Sequence, residues 1–272
     1  MRLIRCLVCL ATLAASLMLP VVHPGADTFR PVVRGMRGAV AAGHPLSAEA
    51  GLRLLQHGGN ATDAGCAAIL AASVIEFSHF SFGGEVPIII KPTKGAVTVI
   101  NGQGIAPQLA TRKFFLDQPQ KPDQKGAPFI PSTGILPATV PGVLDAVVTA
   151  LDRFGTKTLA EVMQPAIELA DGFPLDELRA SYIERTRKIY EPWPTSARLF
   201  LPGNRQPKPG EMFYQPDLAR TLRAIVRAER LAAPRGRHAA LTAARDYFYK
   251  GVVAKRISEF CAANGGLLQG CR

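Results

Sequence analysis

Between Pro45 and Gln56, Leu46, Ala50, Leu54 and Leu55 recur close to helical spacing, and Gly58-Gly59 follows as a stop, so the pattern predicts a short amphipathic helix. Asn60 stands where its side-chain oxygen can accept the orphan amides of Ala61 to Asp63, which starts a second helix running to Ile75. That helix carries Ala61, Ala64, Ala67, Ala68, Ala71 and Ala72 among Cys66, Ile69, Leu70 and Val74. It is apolar nearly all round, as a helix buried among other elements must be. Val86 to Lys91 and Ala96 to Ile100 read as strands joined by Pro92-Thr93-Lys94-Gly95, a hairpin. Gln118 to Ser132, crowded with proline and glycine, reads as an exposed loop. Pro141 to Phe154 is predicted helical, with Pro141 in the first turn, Val143, Leu144, Val147, Val148 and Leu151 along one side, and Gly155 as its C-cap. A further helix covers Leu159 to Ala170 and ends at Asp171-Gly172. Helices before and after strands place the chain in the mixed α/β (α+β) class. A proline-rich stretch from Pro192 to Pro216 precedes a last helical section, without a linker long enough for two independent domains.

The N-terminus has a different pattern. Arg2 and Arg5 precede a 17-residue apolar run from Cys6 to Val22, and His23-Pro24-Gly25-Ala26 breaks it. This is the layout of a secretory signal over residues 1–26, with residues 27–272 as the exported domain, periplasmic or secreted. Seventeen apolar residues lie at the short end of what spans a bilayer, and Pro20 weakens an anchor further, so no stable membrane insertion is expected after cleavage. Cys6 and Cys9 leave with the signal, so their Cys-x-x-Cys spacing is not a redox motif. The chain of 272 residues carries 32 Lys and Arg against 21 Asp and Glu, a net charge of +11 that loss of Arg2 and Arg5 lowers to +9. Arg220, Arg223, Arg227 and Arg230 fall on one face of a predicted helix, opposite Leu218, Leu222, Ile225 and Val226. With no aromatic interleaving or nucleic-acid motif beside them, the expectation is a solvated face and no nucleic-acid partner. Ala232 to Arg245 reads as an inserted surface loop or helix without chemistry of its own.

Chemistry is hard to find by motif. There is no Gly-x-Ser-x-Gly, His-Glu-x-x-His, phosphate loop or Gly-x-Gly-x-x-Gly. Cys66 sits in the apolar helix and reads as a packing residue, while the pairing of Cys66, Cys261 and Cys271 is left open. His44, His57, His79 and His238 are scattered, and no metal or cofactor site follows from them. Gly83-Gly84, after Ser78-His79-Phe80-Ser81-Phe82, fits either an anion-facing turn or a plain tight turn.

Five collinear pieces add a resemblance. Ala41 to Ala64, with His44-Pro45-Leu46 and Gly58-Gly59-Asn60-Ala61-Thr62-Asp63-Ala64, closely resembles the opening of the γ-glutamyltranspeptidase (glutathione hydrolase) family. So do Val140-Pro141-Gly142-Val143 through Gly155, Gln164-Pro165-Ala166-Ile167-Glu168 through Phe173, Phe248-Tyr249-Lys250-Gly251 and Asn264-Gly265-Gly266-Leu267-Leu268, in the family order. The resemblance implies an αββα N-terminal nucleophile hydrolase, made as a precursor that cuts itself into two subunits. It also implies no cofactor, and a γ-glutamyl small molecule as substrate. In such enzymes a threonine at the small subunit's N-terminus attacks the amide, with its own α-amine as base.

Three departures qualify the expectation. The sequence stops at Gly270-Cys271-Arg272, where the family's large subunit would continue, so the threonine and small subunit would have to come from a downstream half and this polypeptide alone is expected to be inert. Where the family places an arginine before Glu-x-Ala-Pro to clamp the substrate's α-carboxylate, this chain reads Asn101-Gly102-Gln103-Gly104-Ile105-Ala106-Pro107. Gln103 is thus the expected substrate-binding residue, with a neutral amide in place of a charged fork. The family's glycine-rich run is reduced to Phe82-Gly83-Gly84-Glu85-Val86, which puts the Glu85 carboxylate near an anionic substrate. The competing readings are an amidohydrolase or acylase of different substrate, and a non-catalytic exported remnant or binding domain.

Overall fold

The computed structural model describes residues 33–119 and 130–269; the signal-like residues 1–26, most of the loop predicted at Gln118–Ser132, and Cys271 lie outside them. Two compact units divide after Ala39. Of the first, Val33–Ala39 are described, an exposed stretch without helix or strand. The second carries every helix and strand named below.

Its first two helices follow the sequence pattern to the residue: α1 is Pro45–Gln56 and α2 is Ala61–Ile75. His44 caps α1, its Nδ1 accepting the Leu46 amide at 3.1 Å, and Asn60 caps α2, its Oδ1 accepting the amides of Thr62 and Asp63. Asp63 answers by accepting the Asn60 amide at 2.9 Å, which completes a capping box. α2 is the centre of the core, with Ala64, Ala67, Leu70, Ala71, Val74 and Ile75 almost wholly out of water.

The predicted hairpin forms, with strands shorter than the apolar runs. β1 (Ile88–Ile90) pairs antiparallel with β2 (Thr98–Ile100), Ile89 opposite Val99. Ile88 and Ile90 pack on the core, whereas Ile89 is 72% and Val99 62% exposed, so the alternating face meets solvent with isoleucine and valine. A five-residue helix α3 (Arg112–Leu116) follows. α4 spans Val143–Phe154, and Pro141 lies before its N-cap, Gly142, rather than in its first turn. The cause is packing: Gly142 is held by a bond from its amide to the Gly84 carbonyl at 2.8 Å, and Pro141 is left outside the helix.

α5 (Leu159–Asp171) has a second capping box, Thr158 with Glu161, and β3 (Phe173–Pro174) follows its exit glycine. Three short helices, α6 (Glu177–Arg185), α7 (Arg187–Tyr190) and α8 (Pro194–Phe200), lead to β4 (Met212–Phe213), which pairs antiparallel with β3. The proline-rich stretch therefore returns to the core. Phe200 and Phe213 close onto Phe77 and, for Phe213, Phe173, with ring centroids 5.2–5.9 Å apart.

α9 (Pro216–Ala232) buries Leu222, Ile225 and Val226 and leaves Arg220, Arg223, Arg227 and Arg230 exposed, the solvated face expected of it. Arg220 pairs with Asp217 and Arg223 with Asp171. Glu229, on the same helix, is buried and caps α5 from outside by accepting the Leu159 amide at 2.7 Å and the Ala160 amide at 2.8 Å. Burial nevertheless pushes its carboxyl above the usual range. Ala232 to Arg245 is no surface insertion. A 3₁₀ turn at Ala233–Arg235 leads into α10 (Arg237–Tyr249), whose Ala240, Leu241 and Ala244 are buried beside α9 and α4. α11 (Val252–Ala263) is the last helix among the described residues. Small Ala and Leu positions hide a helical stripe there that the flanking arginines obscure in the sequence.

Candidate functional site

Three backbone segments meet where the hairpin runs out. The Val86 amide donates to the Gly102 carbonyl at 2.8 Å, extending the β1–β2 ladder by one step. Val140 donates to the Ile105 carbonyl at 2.9 Å, and Gly142 to Gly84, so segments 84–86, 102–105 and 139–142 lie side by side. Glycine is required at two of these positions by close approach. A Cβ on Gly102 would overlap the Val86 carbonyl oxygen, and one on Gly142 would overlap the Gly102 carbonyl oxygen.

Gln103 and Glu85 are both exposed on this seam. Glu85 Oε2 accepts the Gly104 amide at 3.1 Å, which holds its carboxylate beside the residue next to Gln103. The structure thus brings together two positions that lie 18 apart in the chain. From behind, Tyr249 fixes the third segment: its hydroxyl donates to the Pro141 carbonyl at 2.8 Å and accepts the Asp145 amide at 3.2 Å. It serves α4 as the cap that Gly142 cannot provide. Burial pushes the Tyr249 phenol up to about 12. Asp145 in turn pairs with Arg245. Beyond Ile105, an open groove of about 450 Å³ is bordered by Pro107, Leu109, Tyr249, Ile257 and Leu267.

The remaining sequence candidates are elsewhere engaged. Cys66 is buried in α2 and its thiol is pushed up to about 12 by burial, then by the Asp63 charge, which suits packing and not attack. Cys261 is a buried free thiol, also raised by burial. His44 caps α1 and faces Asp176 at 3.4 Å, His79 faces Glu76 at 2.9 Å, His57 faces the Arg53 carbonyl and His238 faces Asp152. Among the described residues none of the four is bonded to Gln103 or Glu85, and no group of His, Cys, Asp and Glu could hold a metal ion. Gly83-Gly84 serves a tight turn, the Gly84 amide donating to the Ser81 carbonyl at 2.9 Å.

Sequence reading missed Tyr249 and the cradle of Asp63. The Asp63 carboxylate accepts, besides Asn60, the amides of Thr156 and Lys157 and the Thr156 hydroxyl at 2.6 Å. The Asn60 to Asp63 capping-box spacing could have flagged the acid, and Tyr249 stands in the family-like Phe248-Tyr249-Lys250-Gly251 piece, but no local spacing points to Thr156 or to the bonds that Tyr249 makes.

Helices laid against short antiparallel sheets in this arrangement are shared with the crystal structure of Helicobacter pylori γ-glutamyltranspeptidase, at a TM-score of 0.76 and 29% identity over 88% of this chain and 64% of that one. The fold is that of the N-terminal nucleophile hydrolases. Residues 47–270 match the sequence model of the γ-glutamyltranspeptidase family, and the chain belongs to that family. It is 32% identical over 244 residues to the glutathione hydrolase proenzyme of Escherichia coli (strain K12), and 33% identical over 242 residues to the acylase ACY 1 proenzyme of Pseudomonas sp. (strain SE83). The alignments take in 89% and 86% of this chain but 39% and 40% of those relatives, so the chain spans about two fifths of their length.

Proposed function

We propose that this chain forms the acyl-binding part of a γ-glutamyltransferase or glutathione hydrolase-like enzyme that cleaves γ-glutamyl amides through a threonine which these 272 residues do not supply. The observation that carries the reading is family membership along residues 47–270 together with the seam at which Gln103 stands exposed on a glycine-bordered backbone. In this mechanism a threonine hydroxyl loses its proton to the threonine's own α-amine and attacks the amide carbonyl. The amine leaves with a proton, and the acyl ester passes to water or to an acceptor amine. Gln103 would orient the acyl head through its side-chain amide, and Tyr249 would keep the Pro141–Gly142 segment in place behind it.

A threonine-bearing partner half is supported by the apolar outer face of the hairpin, where Ile89, Val97 and Val99 are exposed and each strand has one open edge among the described residues. Export is supported by the layout of residues 1–26, and we place the working enzyme in the periplasm or outside the cell. Among the described residues no helix is long and apolar enough to cross a membrane.

A second reading, an amidohydrolase or acylase with another acyl group, is favoured by Gln103 itself and by the similarity to the Pseudomonas acylase. The test is release of p-nitroaniline from γ-glutamyl-p-nitroanilide. We expect none from residues 27–272 alone and release once the threonine-bearing half is co-expressed; turnover by the isolated chain would overturn the assignment of the nucleophile.

A further inference from the structure

Resting on the reading of Gln103 as the acyl-head position, we infer that this seam ranks an acyl head with an ammonium and no carboxylate above the γ-glutamyl head it also accepts, with Glu85 as the residue that sets the preference. The charge at the seam is the reason. Across segments 84–86, 102–105 and 139–142, Glu85 is the one charged side chain, since the other residues are glycine, valine, glutamine, isoleucine, threonine and proline. Its carboxylate is held by the Gly104 amide, and among the described residues no Lys, Arg or His lies within ion-pair distance of it. Oε1 remains open to a donor from a ligand.

The N-terminal end of α4 meets the same seam through Gly142. There the Asp145 amide is already taken by the Tyr249 hydroxyl, and the Asp145 carboxylate is paired with Arg245. Gln103 contributes a dipole and no charge. A carboxylate head would thus approach an unneutralised carboxylate, whereas an ammonium would gain an ion pair and a charge-assisted hydrogen bond from the same oxygen. Removing the carboxylate from a γ-glutamyl group while keeping its length leaves a 4-aminobutyryl group. Removing the ammonium instead leaves a glutaryl group.

Three amides that share a four-carbon amide segment and differ in the charged groups on its far end therefore test the inference: 4-aminobutanamide, L-glutamine and glutaramate. Each is titrated into the ¹⁵N-labelled chain, following the amide signals of Gln103 and Gly104. We expect 4-aminobutanamide to bind tightest and glutaramate weakest, each step changing Kd by about fivefold at low salt, the value for one unit charge near 4 Å in a water-like dielectric. Glu85→Gln should bring 4-aminobutanamide and glutaramate to within twofold of each other, roughly what loss of one exposed charge allows. Gln103→Arg should move the preference toward glutaramate. Glutaramate or glutamine shifting these signals as strongly as 4-aminobutanamide would overturn the inference and leave the seam as a binding edge. Silence of both signals toward all three, at concentrations of tens of millimolar, would overturn the binding edge itself. The wild-type ranking decides the matter even if either variant fails to fold.

Discussion

Asp63 offers the sharpest test of how this fold is tied together. Its side chain is fully buried, yet it holds four donors: the amides of Asn60, Thr156 and Lys157 and the Thr156 hydroxyl. Asn60 adds a bond from its Nδ2 to the Phe154 carbonyl at 2.7 Å, so the start of α2 and the α4–α5 connection are one polar knot. Asp63→Asn keeps the shape but replaces one accepting oxygen with an NH₂ group, which must face donors. Two half-buried donors then lose a charged acceptor, and hydrogen bonds to charged groups at about 1.5–3 kcal/mol each put the loss near 3 kcal/mol, a large share of a marginal stability of about 5–15 kcal/mol. The assay is urea unfolding of the chain, read as a lower midpoint at constant slope.

The same site has a pH signature. Burial pushes the Asp63 carboxyl upward, but the hydrogen bonds from Thr156, Asn60 and Lys157 outweigh it and hold it below 3.8. A carboxyl with a depressed folded pKa contributes stability that is complete above its unfolded value and is lost as pH falls through the folded value. The gap between wild type and Asp63→Asn should therefore be constant near neutrality and narrow below pH 3.8. A loss under about 1 kcal/mol at pH 7, the worth of a single ordinary hydrogen bond, would refute the knot as described.

Three further outcomes follow from the packing. Gly142→Ala should displace the seam, because its Cβ meets the Gly102 carbonyl oxygen; we expect about 1–3 kcal/mol of destabilisation and shifted Gln103 and Gly104 amide signals, against unchanged signals if the segments are independent. His44 is held below 6.5 by burial first and then by Arg179, against the opposing pull of Asp176 and Glu76, and its Nδ1 is the acceptor that caps α1. Stability should be complete above pH 6.5 and decline as pH falls through the folded value, and His44→Asn, which can still cap, should flatten that decline in urea midpoints. Cys66, with its thiol pushed up to about 12 by burial, should resist a chromogenic disulfide reagent at pH 8 in the folded chain and react at once in denaturant; prompt reaction without denaturant would contradict its burial.

What the sequence determined by itself was local. Periodicity with its caps placed α1, α2 and α5, and the run of prolines and glycines marked where elements end, because these depend on residues within one or two helical turns of each other. The cysteine in α2 was legible as packing for the same reason. Family membership was legible too, from collinear motifs that survive in order. What only the tertiary structure decided lies between residues far apart in the chain. Glu85 reaches the Gly104 amide, Tyr249 caps a helix that begins about a hundred residues earlier, Glu229 caps α5, and Asp63 gathers Thr156 and Lys157. Buried amides and carbonyls must find partners wherever packing leaves them, and packing follows from shape and volume across the whole core, which no local spacing encodes. The start of α4 shows the division most plainly: Pro141 satisfies every local rule for a first helical turn, and a through-space bond from Gly142 to Gly84 moves the helix past it.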